Sequence, residues 1–222
     1  MPEIQFLVET ITAAGADSAP VLMPGLQLRL RVINGTPEPV HSMLVRCQVQ
    51  IEPALRRYSD EEAGRLTELF GEPERWAHTL RTVHWQTSVA LVGGFTGTTA
   101  VELPLACGYD FAAGATKYLS ALAGAGQSEI PLRLLFSGTV FYQSEAGVAA
   151  APIPWDLEAR YRMPAAIWRE AIARCYPDGA WIRVSAAALE QVRRFQAARG
   201  IATLEQALEL LVAAPGGAKA AA

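Results

Sequence analysis

Up to about residue 162, apolar and polar side chains alternate with a period of two. Ile4, Phe6 and Val8 alternate with Gln5 and Glu9, and Leu26, Leu28, Leu30 and Val32 alternate with Gln27, Arg29 and Arg31. In the next segment His41, Met43, Val45, Cys47, Val49 and Ile51 share one face, while Ser42, Arg46, Gln48 and Gln50 share the other. Val83, Trp85, Val89 and Leu91 repeat the pattern, followed by Val101, Leu103 and Leu105. Ile130, Leu132, Leu134, Phe136, Val140 and Tyr142 come next, and Ile153, Trp155, Leu157 and Tyr161 form the last set. Such alternation predicts half-buried antiparallel strands with one wet face each. Asn34-Gly35 and Gly93-Gly94 supply turns. Seven or eight strands without a βαβ pattern predict a mainly β protein with some α, built as an antiparallel immunoglobulin-like β-sandwich. Within Phe136-Ser137-Gly138-Thr139 the glycine marks a bulge or a close backbone crossing.

A helical insertion over about 53–79 interrupts the strands. Ser59-Asp60-Glu61-Glu62 has the form of a capping box, Leu66, Leu69 and Phe70 make its apolar face, and Gly71 with Pro73 stops it. Residues 112–127 read as a short helix or an irregular crossover, since alanine favours helix and the glycines favour neither state. After Tyr161 the period changes to 3.6. Pro164 suits a first helical turn, and Ile167, Trp168, Ala171, Ile172 and Cys175 form an apolar stripe. Ser185 caps a second helix with Leu189, Val192 and Phe195 inward, and Thr203 with Gln206 opens a third. The expected organisation is a sandwich over 1–162, a helical region over 163–214 and a disordered tail over 215–222.

Of 222 residues 51% are hydrophobic and 18% charged, ample for a packed core. The net charge of −3 opposes nucleic-acid binding. No apolar run approaches the ~18 residues of a membrane span, and MPEIQFLVET carries an acid where a signal peptide needs a basic region. Cys47, Cys107 and Cys175 are odd in number and widely spaced, which suits reduced thiols in the cytoplasm.

A catalytic or metal constellation is not legible. His41 shares a strand face with Cys47, but six residues at roughly 3.3 Å each put them about 20 Å apart. His41 reads as a core or edge histidine, and no acid or thiol stands at ligand spacing from His78 or His84. There is no nucleophile elbow and no SxxK pair, and Gly93-Gly94-Phe95-Thr96-Gly97 lacks the lysine and helix of a phosphate loop. Arg56-Arg57 and Arg193-Arg194 read as solvated pairs, and Asp60, Glu61 and Glu62 as acids suited to the helix dipole. No catalytic residue, cofactor or metal is therefore assigned. The tryptophans are spread over the insertion (Trp76), two strands (Trp85, Trp155) and the C-terminal region (Trp168, Trp181); those of Pro152–Trp155 and Gly179–Trp181 fall at junctions, where the ring plugs a seam or anchors a partner.

Several segments together resemble a known family: VHSMLVRCQVQIEP, RRYSDEEAGRLTELFGEPERW, GFTGTTAVELPLACGYDF, ATKYLSAL, IPLRLLFSGTVFY and PIPWDLEARYRMP. They resemble an uncharacterised bacterial domain of unknown function encoded near high-affinity NiFe uptake hydrogenases. The resemblance implies a genomic context, and it carries no catalytic residues across. The expected function is a non-enzymatic accessory or scaffold that binds another protein, a hydrogenase subunit or maturation factor. Arg57, Tyr58, Glu68 and Trp76 of the insertion form the candidate partner surface. Homo-oligomerisation is left open. Two alternatives stand beside this reading. One is a small-ligand or carbohydrate-binding sandwich using Trp85 or Trp155; the other is an enzyme assembled from His84, Asp110 and Glu158.

Overall fold

The computed structural model describes residues 2–14, 23–108, 114–122, 128–145, 147–177, 179 and 182–213. Asp110, Trp181 and the tail, on which sequence expectations fall, lie outside them. The described strands are β1 (Ile4–Ala13), β2 (Gly25–Asn34), β3 (Val40–Ile51), β4 (Val83–Val92), β5 (Thr98–Ala106), β6 (Glu129–Ser144), β7 (Gly147–Pro152) and β8 (Glu158–Pro164). The helices are α1 (Asp60–Phe70), α2 (Trp76–Thr79), α3 (Gly114–Leu122), α4 (Ala165–Cys175), α5 (Ala186–Ala198) and α6 (Leu204–Ala213). None of them is long and apolar enough to cross a membrane.

All strand pairs are antiparallel and form two sheets, neither closed into a barrel. One has the order β1-β2-β5; the other has the order β4-β3-β6-β7, with β8 also paired to β6. The period of two buries one face of each. Leu26, Leu28, Leu30 and Val32 of β2 are fully buried, as are Met43, Val45, Cys47, Val49 and Ile51 of β3. Phe6 on β1 and Phe136 on β6 bring the sheets together, their rings stacked at 4.1 Å between centroids. Gly138 is the close crossing expected in β6. Its φ is +143°, and a Cβ there would lie 1.9 Å from the carbonyl oxygen of Leu44 on β3.

Irregularities in the ladders overturn three expectations. The register of β3 against β6 shifts between Val40 and Ser42. Val40 therefore turns inward and His41, read as a core or edge histidine, is exposed. On β4, Gln86 pairs with Val49 and His84 with Gln50, leaving Trp85 as the extra residue. Beyond it the phase inverts: Ser88 and Val92 are buried, while Val89 and Leu91, expected inside, are 53% and 74% exposed. The last expected strand is shortened at its start, because Ile153 to Leu157 lie in a turn and only the part from Glu158 is strand. β7, too rich in glycine and alanine to read as a strand, precedes a turn in which Trp155 is 90% exposed, and β8 follows. A further shift in β1 between Val8 and Thr10 brings Ile11 and Ala13 into the core.

The chain divides into two compact units, Met1–Ala180 and Trp181–Ala222. α4, expected with the C-terminal helices, belongs to the first unit and contacts β1, β2 and β8. Its Trp168 and Ala171 are buried, as the apolar stripe predicts. The ambiguous segment yields α3, which buries Ala115, Tyr118, Leu119 and Leu122. In the second unit α5 and α6 are joined by a turn with Gly200 at φ +63°, and the Ser185 side chain accepts from the Ala188 N–H. Replacing Trp168 by Ala opens a cavity under α4 and is expected to cost about 3–5 kcal/mol. Chemical denaturation of the purified variant measures this directly.

Candidate functional site

The insertion is anchored by a buried ion pair. Pro53–Leu55 make a 3₁₀ turn beyond β3, and the chain then runs through Arg56 to the cap of α1. The capping box is complete: Ser59 Oγ accepts from the Glu62 N–H at 3.2 Å, and Glu62 Oε2 accepts from the Ser59 N–H at 3.0 Å. The other carboxylate oxygen accepts from Arg56 Nη2 at 2.5 Å and from the Ser128 hydroxyl at 2.6 Å. Both side chains are withdrawn from water, Arg56 to 9% and Glu62 to 5% exposure. Burial alone would raise the Glu62 pKa, but hydrogen bonds from Ser128, the Ser59 amide and Arg56 outweigh it and hold the carboxyl below the usual range.

An aromatic cluster lies against this pair. The Arg56 guanidinium stands 4.6 Å from the Tyr58 ring centroid. The Tyr58 hydroxyl donates to the Pro53 carbonyl at 2.8 Å, so at its other contact, also 2.8 Å, the Tyr118 hydroxyl is the donor. Burial, with the neighbouring Tyr118, raises the Tyr58 pKa far above its ordinary value. Trp76 meets Tyr58 and Phe70 edge-on, at 5.1 and 6.2 Å, and its Nε1–H donates to the Gly71 carbonyl. Of the four expected surface residues, then, Tyr58 and Trp76 are half-buried and turned into this cluster. Glu68 is exposed and paired with Lys117, and Arg57 is exposed beside Arg56. The four do not make one open surface.

Arg57 instead opens onto a cleft of about 560 Å³ where β6 begins and β8 runs into α4. Its lining includes Arg56, Arg57, Glu129, Arg162 and Arg169, together with Pro164 and Ala166 at the start of α4. By its sequence Arg56 is one of a basic pair, and Glu62 is suited to the cap and dipole of α1. The chain distance of 66 residues from Glu62 to Ser128 concealed their meeting.

The two sheets present unlike outer faces. On the three-stranded sheet Glu9 is held between Arg29 and Arg31, and Arg29 also reaches Glu102. On the five-stranded sheet the register sets Leu44 beside Leu91, and Ser42 beside Phe141. Leu44, Val89, Leu91, Phe141 and Val148 are between 37% and 74% exposed there. Arg46 lies among them, paired in register with Val89 and without an ion-pair partner among the described residues. Towards the other end the same face is polar, and Glu158 bridges Arg133 and Arg160. β3 and β6 separate the strand of His84 from the strand of Glu158, a distance of three strand spacings or about 14 Å. His84 contacts Gln48 instead. Burial pushes the Cys47 and Cys107 thiols up to about 12, so neither is a thiolate at neutral pH.

A two-layered antiparallel β protein with a capped helical insertion is thus the class that the fold defines. The chain belongs to DUF6084, a family of unknown function whose model matches residues 1–220. No curated protein matches the sequence. Among solved structures, a protein from Archaeoglobus fulgidus is 9% identical, with 71% of this chain and 97% of that chain covered at a TM-score of 0.30. A β-glucosidase from Kluyveromyces marxianus is 8% identical, with 73% of this chain covered at a TM-score of 0.27; the chain spans only 15% of that enzyme. β-Glucosidase 3B from Thermotoga neapolitana is 9% identical, covering 72% of this chain and 17% of its own at a TM-score of 0.25.

Glu62→Ala strands the Arg56 charge in the interior and is expected to destabilise by about 3–5 kcal/mol near neutral pH. The carboxyl's pKa is lower folded than unfolded, so its stabilisation is present above the unfolded value and disappears as pH falls through the folded one. Urea titrations of both proteins between pH 7 and pH 3 should show the gap closing towards acid.

Proposed function

We propose that this protein is a non-enzymatic accessory that docks another protein on the outer face of its five-stranded sheet. The observation that carries this reading is the uncovered apolar half of that face. Leu44, Val89, Leu91, Phe141 and Val148 stand exposed on adjacent strands of one sheet, whereas on the outer face of the other Leu7 stands beside the ion pairs of Glu9, Arg29, Arg31 and Glu102. Trp155, on the turn linking the two strands that share β6, adds a large exposed ring to the same sheet. The occupant is a folded protein with an apolar surface and a carboxylate opposite Arg46. The family resemblance supports a NiFe hydrogenase subunit or maturation factor, and the odd, widely spaced cysteines support a cytoplasmic setting.

We also read the fold as immunoglobulin-like. The order β1-β2-β5 against β4-β3-β6-β7 supports this, since it has two antiparallel sheets exchanging strands between hairpins. The same face that a sandwich of this kind leaves open at its surface is the one offered to a partner.

Tagged protein expressed in a hydrogenase-producing bacterium should retain a stoichiometric hydrogenase component. A Val89→Asp/Leu91→Asp variant, folded by circular dichroism, should bind that component at least about 30-fold more weakly. Equal retention by the variant, or no stoichiometric partner, overturns the reading. The exposure of Trp155 favours one second reading, a stacking platform for a small ligand or carbohydrate, because Trp85 is half-buried and donates to the Ala106 carbonyl. Quenching of tryptophan fluorescence by a sugar panel, lost in Trp155→Ala, would establish it; an unchanged spectrum across the panel would remove it.

A further inference from the structure

We infer that the arginine-lined cleft of the first unit binds a phosphate-bearing small molecule of about pyrophosphate size or larger. The site lies at the end of the five-stranded sheet away from the apolar half of its outer face, and it does not depend on the docking reading.

Charge is the first argument. Four guanidiniums, from Arg56, Arg57, Arg162 and Arg169, line the cleft against the one carboxylate of Glu129. Glu62, behind Arg56, neutralises that guanidinium, which leaves exposed Arg57 and the loosely paired Arg162 as the cations open to the cleft. The whole chain has a net charge of −3, so this positive concavity runs against the average. Glu129 compensates Arg162 only loosely, at 3.8 Å, and Arg57 has no ion-pair partner among the described residues. Like charges crowded into a concave site repel one another, and a polyanion is the counterpart that relieves them.

Preorganisation is the second. Arg56 is nine-tenths buried and fixed by Glu62, by its contact with Tyr58 and by donation from Nε to the Arg57 carbonyl. Its Nη1, closed off from solvent in the ligand-free fold, has no hydrogen-bond acceptor among the described residues. A guanidinium held rigidly with a donor to spare is suited to an incoming phosphoryl oxygen or the water that bridges to it. The third argument is α4, an 11-residue helix that begins at the cleft with Pro164 and Ala166. No side chain caps it; the Ala165 N–H donates to the Ser128 carbonyl at 2.8 Å, and the positive end of the helix dipole adds to the arginine field. The cleft volume of about 560 Å³ exceeds what one orthophosphate needs and falls within the range of small-molecule sites.

Isothermal titration of the full-length protein with sodium pyrophosphate tests this, at an ionic strength held constant with chloride. Saturable 1:1 binding is expected, tighter than for orthophosphate. Arg57→Gln/Arg162→Gln removes two exposed arms while leaving the buried pair intact, and should weaken pyrophosphate at least about tenfold with an unchanged ligand-free melting temperature. Glu129→Gln should tighten it, because the competing carboxylate is gone. The proposal is overturned if pyrophosphate gives no saturable heat, or if the double variant binds as the parent does. Citrate binding as tightly as pyrophosphate would equally overturn it, assigning the cleft to polycarboxylates.

Discussion

The first unit rests on the closure of two sheets over the wholly buried inner faces of β2 and β3. These central strands carry unbroken rows of aliphatic and thiol side chains with no exposure to water. A side-chain period of two admits no compromise: a one-residue slip would exchange every core residue for its solvent-facing neighbour. Gly138 tightens the constraint, because β6 approaches the Leu44 carbonyl of β3 more closely than any Cβ permits. The stacked Phe6 and Phe136 rings fix the spacing of the sheets at one point, and α4 closes one end through Trp168. The hydrophobic effect supplies the drive, and the pleat determines where it acts.

Against that frame, the departures from alternation carry the functional interest. The extra residue at Trp85 inverts the rest of β4 and turns Val89 and Leu91 to solvent beside Leu44. The shift at the start of β3 likewise turns His41 out and Val40 in. Each bulge leaves the ladder largely intact and re-aims a handful of side chains. An exposed apolar row made this way costs solubility, and it is gathered on one sheet, while Leu7 and the ion pairs of Glu9 share the outer face of the other.

The insertion shows how a local signal acquires a tertiary role. Glu62 completes the cap of α1 with one oxygen and holds Arg56 and Ser128 with the other. A single carboxylate thereby ties the helix to the loop before it and to the start of β6. Its cost in desolvation is met by the number of donors converging on it. The same bonds hold the Arg56 guanidinium at the wall of the cleft, so the feature that stabilises the insertion also shapes the charged cavity beside it.

Much of the fold was legible in the chain. The alternating rows of β2, β3, β5 and β6, the Ser59 capping box, the apolar stripe of α4 and the tight crossing at Gly138 all follow from residues close in sequence. Each depends on local geometry, which the order of side chains states directly. The inversion of β4, the strand character of β7 and the exposure of Trp155 depend on which neighbour each strand met. The union of Arg56, Ser128 and the Arg162–Arg169 stretch required three distant segments to be folded together. Pairing register and long-range convergence are properties of the assembled sheets, and only the tertiary structure could decide them.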